Sequence, residues 1–373
     1  MGLKPQFIVA FALFVLMSGS AFATMIEVDS SGSKDHTTIQ AAINAANASD
    51  IIIVHPGTYI ENVIVNKELT LSSFSGNPDD TVVSASDANE PVFNITADNV
   101  SIRGFDVTSA SGLDNSGVLL NNVTNTTIVS NKVTGNSIGI HLNQSGNNTI
   151  YNNYFNNTNN VLLSDTNVSN IWNTTKSGGP NIIEGPYVGG NYWAKPDGSG
   201  FSQTCNDADK DGFCDLDFVI GLNNTDHLSL NIDPSIDIEL LMNGKDADTP
   251  LGPYVRYYYR LYWNYSVTNS GNINLTNITV NDESIGFIGT IPVLEPGSSI
   301  GFSSSEQAKY GHNENHAITV GTSPQGVDVS DTDPGHYFGY APPETYDIPT
   351  APPLLTAGIL GIAMVLFLRR ELK

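Results

Sequence analysis

A repeat of about 22 residues runs through the first half of this chain. Two short apolar segments recur in each unit, one carrying Ile102, Ile128 and Ile150 and the other carrying Leu120, Leu142 and Leu163. The step from Ile102 to Ile128 is longer and fits a small insertion near Ser111 to Asn115. A unit of this length cannot bury its own apolar face, so successive units must stack. The pattern predicts a parallel β-helix with isoleucine and leucine ladders inside and asparagines at the left-handed corners.

The first residues have the layout of a secretory signal peptide over 1–23. Lys4 precedes an apolar run over 7–17, and small residues follow at 21–23. We expect the mature chain to begin near Thr24. An uncleaved N-terminal anchor is the alternative.

A second apolar run stands near the other end of the sequence. A Pro-rich linker over 341–353 leads into a tail over 354–373, in which fifteen uncharged residues precede Arg369 and Arg370. Fifteen helical residues reach about 22 Å against a hydrocarbon core of about 30 Å, so we expect a short membrane span. Basic residues favour the cytoplasmic side, which places residues 24–346 outside the cell. In layout the tail resembles the sorting tails that sortase-like membrane proteases process, and both a retained helix and a processed tail fit it.

The composition agrees with exposure to an extracellular medium. There are 15 Lys and Arg against 38 Asp and Glu, a net charge of −23, which disfavours binding to nucleic acid. Acceptor triplets for N-glycosylation are dense, and the glycosylation candidates are Asn94, Asn125, Asn147, Asn156, Asn264 and Asn277. The sequence therefore predicts a secreted, membrane-anchored glycoprotein of the cell surface.

Residues 38–46 form an amphipathic pattern upstream of the repeats, with Ile39, Ala42 and Ile43 on one face. We expect this helix to cap the first coil, since an open end would expose core and unpaired strand edges. Further along, Gly189–Trp193 is expected to cover the last coil. A sugar-binding role for Tyr192 and Trp193 is the alternative.

The runs TIQAAINAA, DIIIVHPGTYIENVIVNKELTLSS and GGNYW, with the Asn-rich coils between them, carry a family resemblance. They resemble the right-handed, pectin-lyase-like parallel β-helices of the NosD type and of the carbohydrate-binding and sugar-hydrolase class, which are abundant in methanogen surface proteins. The resemblance covers about residues 24–232. It implies the fold more sharply than the activity, since this fold carries lyases, hydrolases, epimerases and binding scaffolds.

The coils offer little obvious catalytic chemistry. Their charged residues over 99–175 are Arg103, Lys132, Asp106, Asp114 and Asp165, and we expect no shared outward ladder among them. A glycan-cleaving site needs paired carboxylates or a base beside a cation. We expect Arg103 and His141 to be solvated surface residues, and copper binding does not follow from the NosD resemblance because the coils lack Cys and Met.

An acidic loop is the most pointed motif in the sequence. Asp207, Asp209 and Asp211 stand at positions 1, 3 and 5, followed by a Gly, the carbonyl of Phe213 at position 7 and Asp215 at position 9. Oxygen ligands at this spacing predict a calcium site. Position 12 is Phe218 instead of Glu, which excludes a full helix-loop-helix hand. A solvated acidic turn is the alternative.

Cys205 and Cys214 are the only cysteines, and they bracket this loop. In an exported chain such a pair most simply forms one disulfide. Closing so short a loop stabilises the fold by roughly 2 to 3 kcal/mol.

The texture changes after Asp233. Alternating apolar and polar residues from Tyr257 onward predict antiparallel strands, with turns at 269–272, 295–297 and 333–335. We expect an immunoglobulin-like β-sandwich over 236–340, similar to the repeats of prokaryotic surface stalks.

The sequence thus predicts an all-β surface protein with a β-helix over 24–232, a sandwich and a membrane-proximal tail. The leading interpretation of its function is a structural, adhesive or carbohydrate-binding protein without catalysis. Its expected partners are envelope carbohydrate and other surface proteins. The alternative is a polysaccharide lyase or glycoside hydrolase acting on extracellular glycan.

Overall fold

The computed structural model describes residues 23–165 and 167–342. The predicted signal peptide and sorting tail lie outside these residues. Short strands dominate the first part of the chain: β1 (Met25–Val28), β2 (Ile51–Val54), β3 (Gly57–Ile60), β4 (Val63–Val65), β5 (Thr70–Ser73), β6 (Thr81–Ser84), β7 (Phe93–Ile95), β8 (Ser101–Arg103), β9 (Asp106–Thr108), β10 (Ser116–Asn121), β11 (Thr127–Val129), β12 (Lys132–Thr134), β13 (Ile138–Asn143), β14 (Thr149–Tyr151), β15 (Tyr154–Asn156), β16 (Asn159–Leu163), β17 (Ser177–Gly178), β18 (Tyr187–Val188) and β19 (Tyr192–Ala194).

Apart from β17 and β18, which form a separate antiparallel pair, these strands form three parallel sheets, one on each face of a coil. The first face has the order β1-β2-β5-β8-β11-β14, the second β16-β13-β10-β7-β4, and the third β19-β15-β12-β9-β6-β3. Each strand pairs with the strand one coil away, which is the topology of a parallel β-helix. The expected fold of this part is confirmed.

The two predicted internal ladders are present. Ile128 is the register partner of Ile102 and of Ile150, and all three side chains are fully buried. On the second face Leu142 pairs with Leu120 and Leu163. The insertion that lengthens one step forms a turn near Gly112–Asn115, outside the sheets.

Helix α1 (Ile39–Ala45) lies over the first coil. Thr38 caps its N-terminus by accepting from the backbone N–H of Ala41. Ile39, Ala42 and Ile43 are fully buried in the β-helix core. The amphipathic pattern is therefore satisfied by packing against the open end of the coil, as expected.

Asparagine side chains join one coil to the next. The backbone N–H of Asn131 donates to Oδ1 of Asn153 at 3.0 Å, and that of Asn153 donates to Oδ1 of Asn191 at 3.1 Å. The Nδ2 group of Asn153 donates to the carbonyls of Ile128 and Tyr151. Two further ladders of this kind run through Asn136, Asn157 and Asn160 and through Asn148, Asn170 and Asn224. These buried amides satisfy backbone groups that the sheets leave unpaired at the corners.

The first asparagine ladder ends on a carboxylate. Oδ2 of Asp226 accepts from the backbone N–H of Asn191 at 2.8 Å and from the indole N–H of Trp193 at 2.9 Å. Burial raises the pKa of Asp226 to about 6, although these donors favour its charged form. Asp226 thus ties the strand β21 (Asn224–Asp226) to the last coil.

Aromatic rings close the C-terminal side of the coils. Trp193 is fully buried and stacks on Phe155 with ring centroids 4.8 Å apart. Tyr192 stacks on Tyr154 at 5.0 Å and is also buried. Gly189–Trp193 therefore covers the last coil as expected, and burial removes Trp193 from contact with a sugar.

The second part of the chain is antiparallel apart from one edge strand. The short helix α2 (Phe201–Thr204) and the antiparallel pair β20 (Phe218–Gly221) and β21 pack on the end of the β-helix. The elements of the second part are β22 (Ile236–Met242), β23 (Lys245–Asp246), β24 (Tyr254–Arg256), β25 (Arg260–Asn269), β26 (Leu275–Asp282), β27 (Gly286–Leu294), β28 (Ser299–Gln307), β29 (Gly311–Thr322) and β30 (Asp328–Tyr340). One sheet has the order β23-β22-β25-β28 and the other β24-β30-β29-β26-β27, with β24 parallel to β30. Both sheets bury residues in one shared core, including Leu240, Trp263 and Ile278.

One predicted turn of this part is wrong. Asp333-Pro-Gly335 lies inside β30, where Pro334 pairs with His316. A Cβ at Gly335 would lie 2.7 Å from the Trp263 ring, so this glycine permits close packing of the two sheets. The strand partner β24 reaches only the far end of β30, so the missing N–H of Pro334 breaks no strand pairing on that side.

A buried side chain, Asn272, links the two parts by hydrogen bonds. Nδ2 of Asn272 donates to Oδ2 of Asp207 at 2.8 Å and to Oδ1 of Asn231 at 3.1 Å. The backbone N–H of Asp233 donates to Oδ1 of Asn272 at 2.8 Å.

Across residues 23–165 and 167–342, no helix is long and apolar enough to span a bilayer.

The asparagine ladder makes a testable prediction about stability. Asn153→Ala removes an acceptor from two buried donors of Asn131 and the amide donor to the Ile128 carbonyl. Since each buried unsatisfied group costs about 1 to 3 kcal/mol, we expect the free energy of unfolding to fall by about 3 kcal/mol. Urea unfolding followed by far-UV circular dichroism measures this change.

Asn121→Ala is the matched control, because Asn121 lies on the outer side of β10 and receives a single side-chain hydrogen bond, from Asn143. It should change the unfolding free energy by less than about 0.5 kcal/mol. Equal losses in the two variants would show that the buried ladder has no special role.

Candidate functional site

A cleft of about 400 Å³ lies against the third face of the β-helix. Lys132 of β12 and Tyr154 of β15 line its floor. Both belong to an outward ladder that Asp106 of β9 continues on the neighbouring coil, since the three residues are register partners on successive coils. Neighbouring strands are about 4.8 Å apart, so these three side chains lie side by side. The expectation that the coil charges share no ladder is therefore wrong.

Asp79 joins this ladder from a 3₁₀ turn over Pro78–Asp80. Its Oδ1 accepts from Nζ of Lys132 at 2.7 Å. Asp106 is the register neighbour of the same lysine, and Oγ1 of Thr134 donates to its Oδ1 at 3.5 Å. The lysine thus forms an ion pair with Asp79, while its charge also acts on Asp106.

Burial and neighbouring charges shift the pKa values of this cluster. Burial raises the pKa of Asp106 to about 6; the Lys132 charge opposes this rise and the Asp79 charge adds to it. Burial pulls the Lys132 pKa down, yet the hydrogen bond that Lys132 donates to Asp79 and the charges of both carboxylates raise it overall. Burial also raises the pKa of Tyr154. Lys132 is therefore a fixed cation, while Asp106 changes charge near pH 6.

The remaining walls are polar and come from distant segments. Asn152, Asn181 and Glu184 line one side, and Pro324 and Gln325 of the loop between β29 and β30 line another. Acceptors, amide donors, one ammonium and an aromatic face suit a ligand with many hydroxyl groups. The half-buried Tyr154 ring, backed by Tyr192, supplies the aromatic face.

The acidic loop forms a separate cluster. Ligand atoms of Asp207, Asp209 and Asp215 lie within 4.8 Å of one another. Asp207 is buried, and its carboxylate accepts from the backbone N–H groups of Asp211 and Gly212. Three converging carboxylates form a donor set that fits a hard divalent cation.

Two residues predicted for the same cation site have other contacts. Oδ2 of Asp211 pairs with Nζ of Lys176 at 2.7 Å, and the cluster does not include Asp211. The Phe213 side chain is buried against Ile183 and Leu230. Lys176 also stands 4.9 Å from the Phe213 ring centroid, a contact that crosses more than 30 residues of sequence and gives no local signal.

Cys205 and Cys214 form the predicted disulfide, with their Cα atoms 5.6 Å apart. Cys214 also donates its backbone N–H to the Ser229 carbonyl at 2.9 Å. The disulfide therefore holds the acidic loop beside the segment that leads into the second sheet domain.

The glycosylation candidates divide by exposure. Asn125, Asn147, Asn264 and Asn277 are exposed, and all but Asn264 have a left-handed backbone conformation. Asn94 and Asn156 are half-buried, with side-chain oxygens that solvent does not reach. The first four therefore present more open side chains to a glycan-transferring enzyme than the other two candidates.

Comparison with known proteins finds two family matches and a related cell surface glycoprotein. Residues 36–198 match the family model described as periplasmic copper-binding protein (NosD), so the chain contains a NosD-like domain. Residues 348–372 match the VPxxxP-CTERM archaeal protein sorting domain. A cell surface glycoprotein of Methanothermus fervidus is 35% identical over 131 residues, which are 34% of this chain and 21% of that protein. The chain thus spans about a fifth of that relative, and the matches support an extracellular, cell-surface location.

Among solved structures, a pectin methylesterase from Aspergillus niger aligns with 42% of this chain and 63% of its own, at 16% identity and a TM-score of 0.26. The sporulation control protein Spo0M of Bacillus subtilis aligns with 28% of this chain and 50% of its own, at 14% identity and a TM-score of 0.17. The parallel strand pairing described above, and not these likenesses, defines the fold.

Proposed function

We propose that this protein is an exported, membrane-anchored surface glycoprotein whose β-helix binds extracellular or envelope carbohydrate in the third-face cleft. The observation that carries the proposal is the outward ladder of Asp106, Lys132 and Tyr154, with Asp79 paired to the lysine. The signal-peptide pattern, the sorting-domain match and the surface-glycoprotein relative support the location.

The cleft chemistry supports recognition of a glycan. The carboxylate oxygens of Asp79 and Glu184 accept from sugar hydroxyls, while the ammonium of Lys132 donates to them. The Tyr154 face packs against the apolar side of a pyranose ring. Rigid coils hold these groups at fixed spacing, which lowers the entropy cost of binding.

Glycan cleavage is the second candidate, and the raised pKa of Asp106 favours it. A glycosidase pairs a protonated carboxylic acid with an ionised carboxylate, roles that Asp106 and Asp79 could fill. Binding is the better-supported function because Asp79 is ion-paired with Lys132 and Asp106 is not among the residues that line the cleft.

We further propose that the sandwich is an immunoglobulin-like spacer between the β-helix and the membrane-proximal tail. Its two facing sheets and shared core support this assignment. We also propose other surface proteins as partners of the exposed face of the sandwich.

The acidic loop is proposed as a calcium site with Asp207, Asp209 and Asp215 as carboxylate ligands and the Phe213 carbonyl as a further one. Asp211 would join only by leaving Lys176. A bound cation would neutralise three converging carboxylates beside Asn272, the residue that links the two domains. Calcium is therefore expected to strengthen the link between β-helix and sandwich.

A glycan and polysaccharide panel scored for both retention and cleavage tests the carbohydrate proposal. We expect Tyr154→Ala and Lys132→Met each to weaken retention at least about tenfold, a change of about 1.4 kcal/mol. Tyr151→Ala, on the first face, and Lys195→Met are matched controls that should bind normally. Full retention in the cleft variants would contradict the proposed site, and turnover that Asp106→Asn abolishes would replace binding with catalysis.

Thermal unfolding with calcium or with a chelator tests the cation site. Calcium should raise Tm of the natural protein by several degrees, since a ligand that binds only the folded state stabilises it. Asp209→Asn combined with Asp215→Asn should remove the response, while the exposed control Glu90→Gln should retain it. An unchanged Tm in the natural protein would contradict calcium binding.

A further inference from the structure

Exposed tyrosines gather at one end of the sandwich, which we call the tyrosine end. Its members, with exposed fractions from 37% to 68%, are Tyr254, Tyr257, Tyr258, Tyr259, Tyr262, Tyr310 and Tyr340. Seven of the 15 tyrosines in the chain are thus placed in solvent within one region. Such a concentration of large amphipathic side chains marks a contact surface.

Backbone hydrogen bonds hold these tyrosines together. The N–H of Tyr257 donates to the Tyr340 carbonyl at 2.8 Å, and the N–H of Tyr258 donates to the Ala308 carbonyl at 3.0 Å. The Tyr257 ring lies 4.0 Å from that of Tyr258 and 6.1 Å from that of Tyr310, measured between centroids. The tyrosine end is therefore a built surface formed by three chain segments.

Charge is distributed unevenly over the sandwich. Between residues 234 and 342 the only Lys and Arg residues are Lys245, Arg256, Arg260 and Lys309, against twelve Asp and Glu. All four cations are exposed. Arg256, Arg260 and Lys309 lie in the segments that form the tyrosine end, and Lys245 lines a cleft there together with Arg256. The exposed cations of this acidic domain thus lie on the same surface as its exposed aromatic rings, and one of them, Lys309, pairs with Glu306 there at 3.4 Å.

The position of this surface indicates what it faces. Strand β30 begins near the β-helix side and ends in the tyrosine end at Tyr340, and the sorting-domain match starts at residue 348. The link to the β-helix through Asn272 is at the opposite end of the strands. Strands of 12 and 13 residues separate the two ends by about 40 Å.

We propose that the tyrosine end rests on the headgroups of an anionic lipid membrane, beside the point where the chain continues into its sorting tail. Tyrosine rings are favoured at the headgroup level, where one edge is apolar and the hydroxyl is wet. Each Lys or Arg near an anionic surface adds a favourable electrostatic contribution that salt screens. The contact orients the sandwich so that the β-helix points away from the membrane. This inference rests on the membrane anchoring proposed above.

Hydrogen–deuterium exchange of the full chain reconstituted into vesicles tests the contact. Vesicles of phosphatidylcholine with phosphatidylglycerol are compared with vesicles of phosphatidylcholine alone and with detergent micelles. Backbone amides of residues 254–260 and 307–311 should exchange at least about fivefold more slowly in the anionic vesicles. About 0.5 M salt should reduce this protection.

A charge-matched pair of variants makes the test specific. Arg256→Gln, Arg260→Gln and Lys309→Gln together should abolish the lipid-dependent protection. Lys34→Gln, Arg103→Gln and Lys195→Gln, all on the β-helix, remove the same charge and should leave it intact. Equal exchange in all three media would overturn the proposal and indicate a free surface. Protection that depends on protein concentration would indicate a contact with a second copy. Protection that persists in micelles would indicate a contact within the chain.

Flotation of the same vesicles distinguishes this contact from the anchor. Flotation with phosphatidylcholine alone reports the anchor without the charge attraction. If the chain floats there but lacks protection in anionic vesicles, the tyrosine-end proposal fails and the anchor stands. If it floats only with anionic vesicles and high salt releases it, the anchor fails and the tyrosine-end contact stands.

Discussion

Hydrogen bonding at the coil corners is the constraint on which the β-helix depends. A parallel coil turns sharply after every short strand, and each turn leaves buried backbone groups that no sheet satisfies. Asn153 shows the solution, because its amide accepts from Asn131 and donates to the Ile128 carbonyl, both on the neighbouring coil, and also donates to the Tyr151 carbonyl of its own coil. Repetition of this device fixes the stacking register as firmly as the apolar ladders do.

The candidate site follows from that register. Asp106, Lys132 and Tyr154 belong to different coils and meet only because each coil stacks directly on the last. A slip by one residue would turn these side chains inward and expose Val107 and Val133. Glycan recognition on the third face therefore depends on the rigid corners of the coils. The sandwich separates this third-face surface from the tyrosine end.

Much of the fold could be predicted from the sequence because its signals are periodic. The isoleucine and leucine ladders and the capping helix each carry a local pattern, and the disulfide needed only two cysteines. The site was less visible, since three-residue strands such as β12 carry little periodic signal and Asp79 reaches Lys132 across 53 residues. The turn predicted at Asp333 failed for a related reason: Gly335 serves packing against Trp263, which composition does not reveal.

Residue-resolved hydrogen exchange of the natural protein tests most directly whether the asparagine corners hold the coils. We expect the backbone N–H groups of Phe105, Asn131 and Asn153 to be among the slowest to exchange in the β-helix, because each donates to a buried side-chain oxygen. The exposed turn near Gly112–Asn115 should exchange far faster. Corner amides that exchange as fast as this turn would contradict the account.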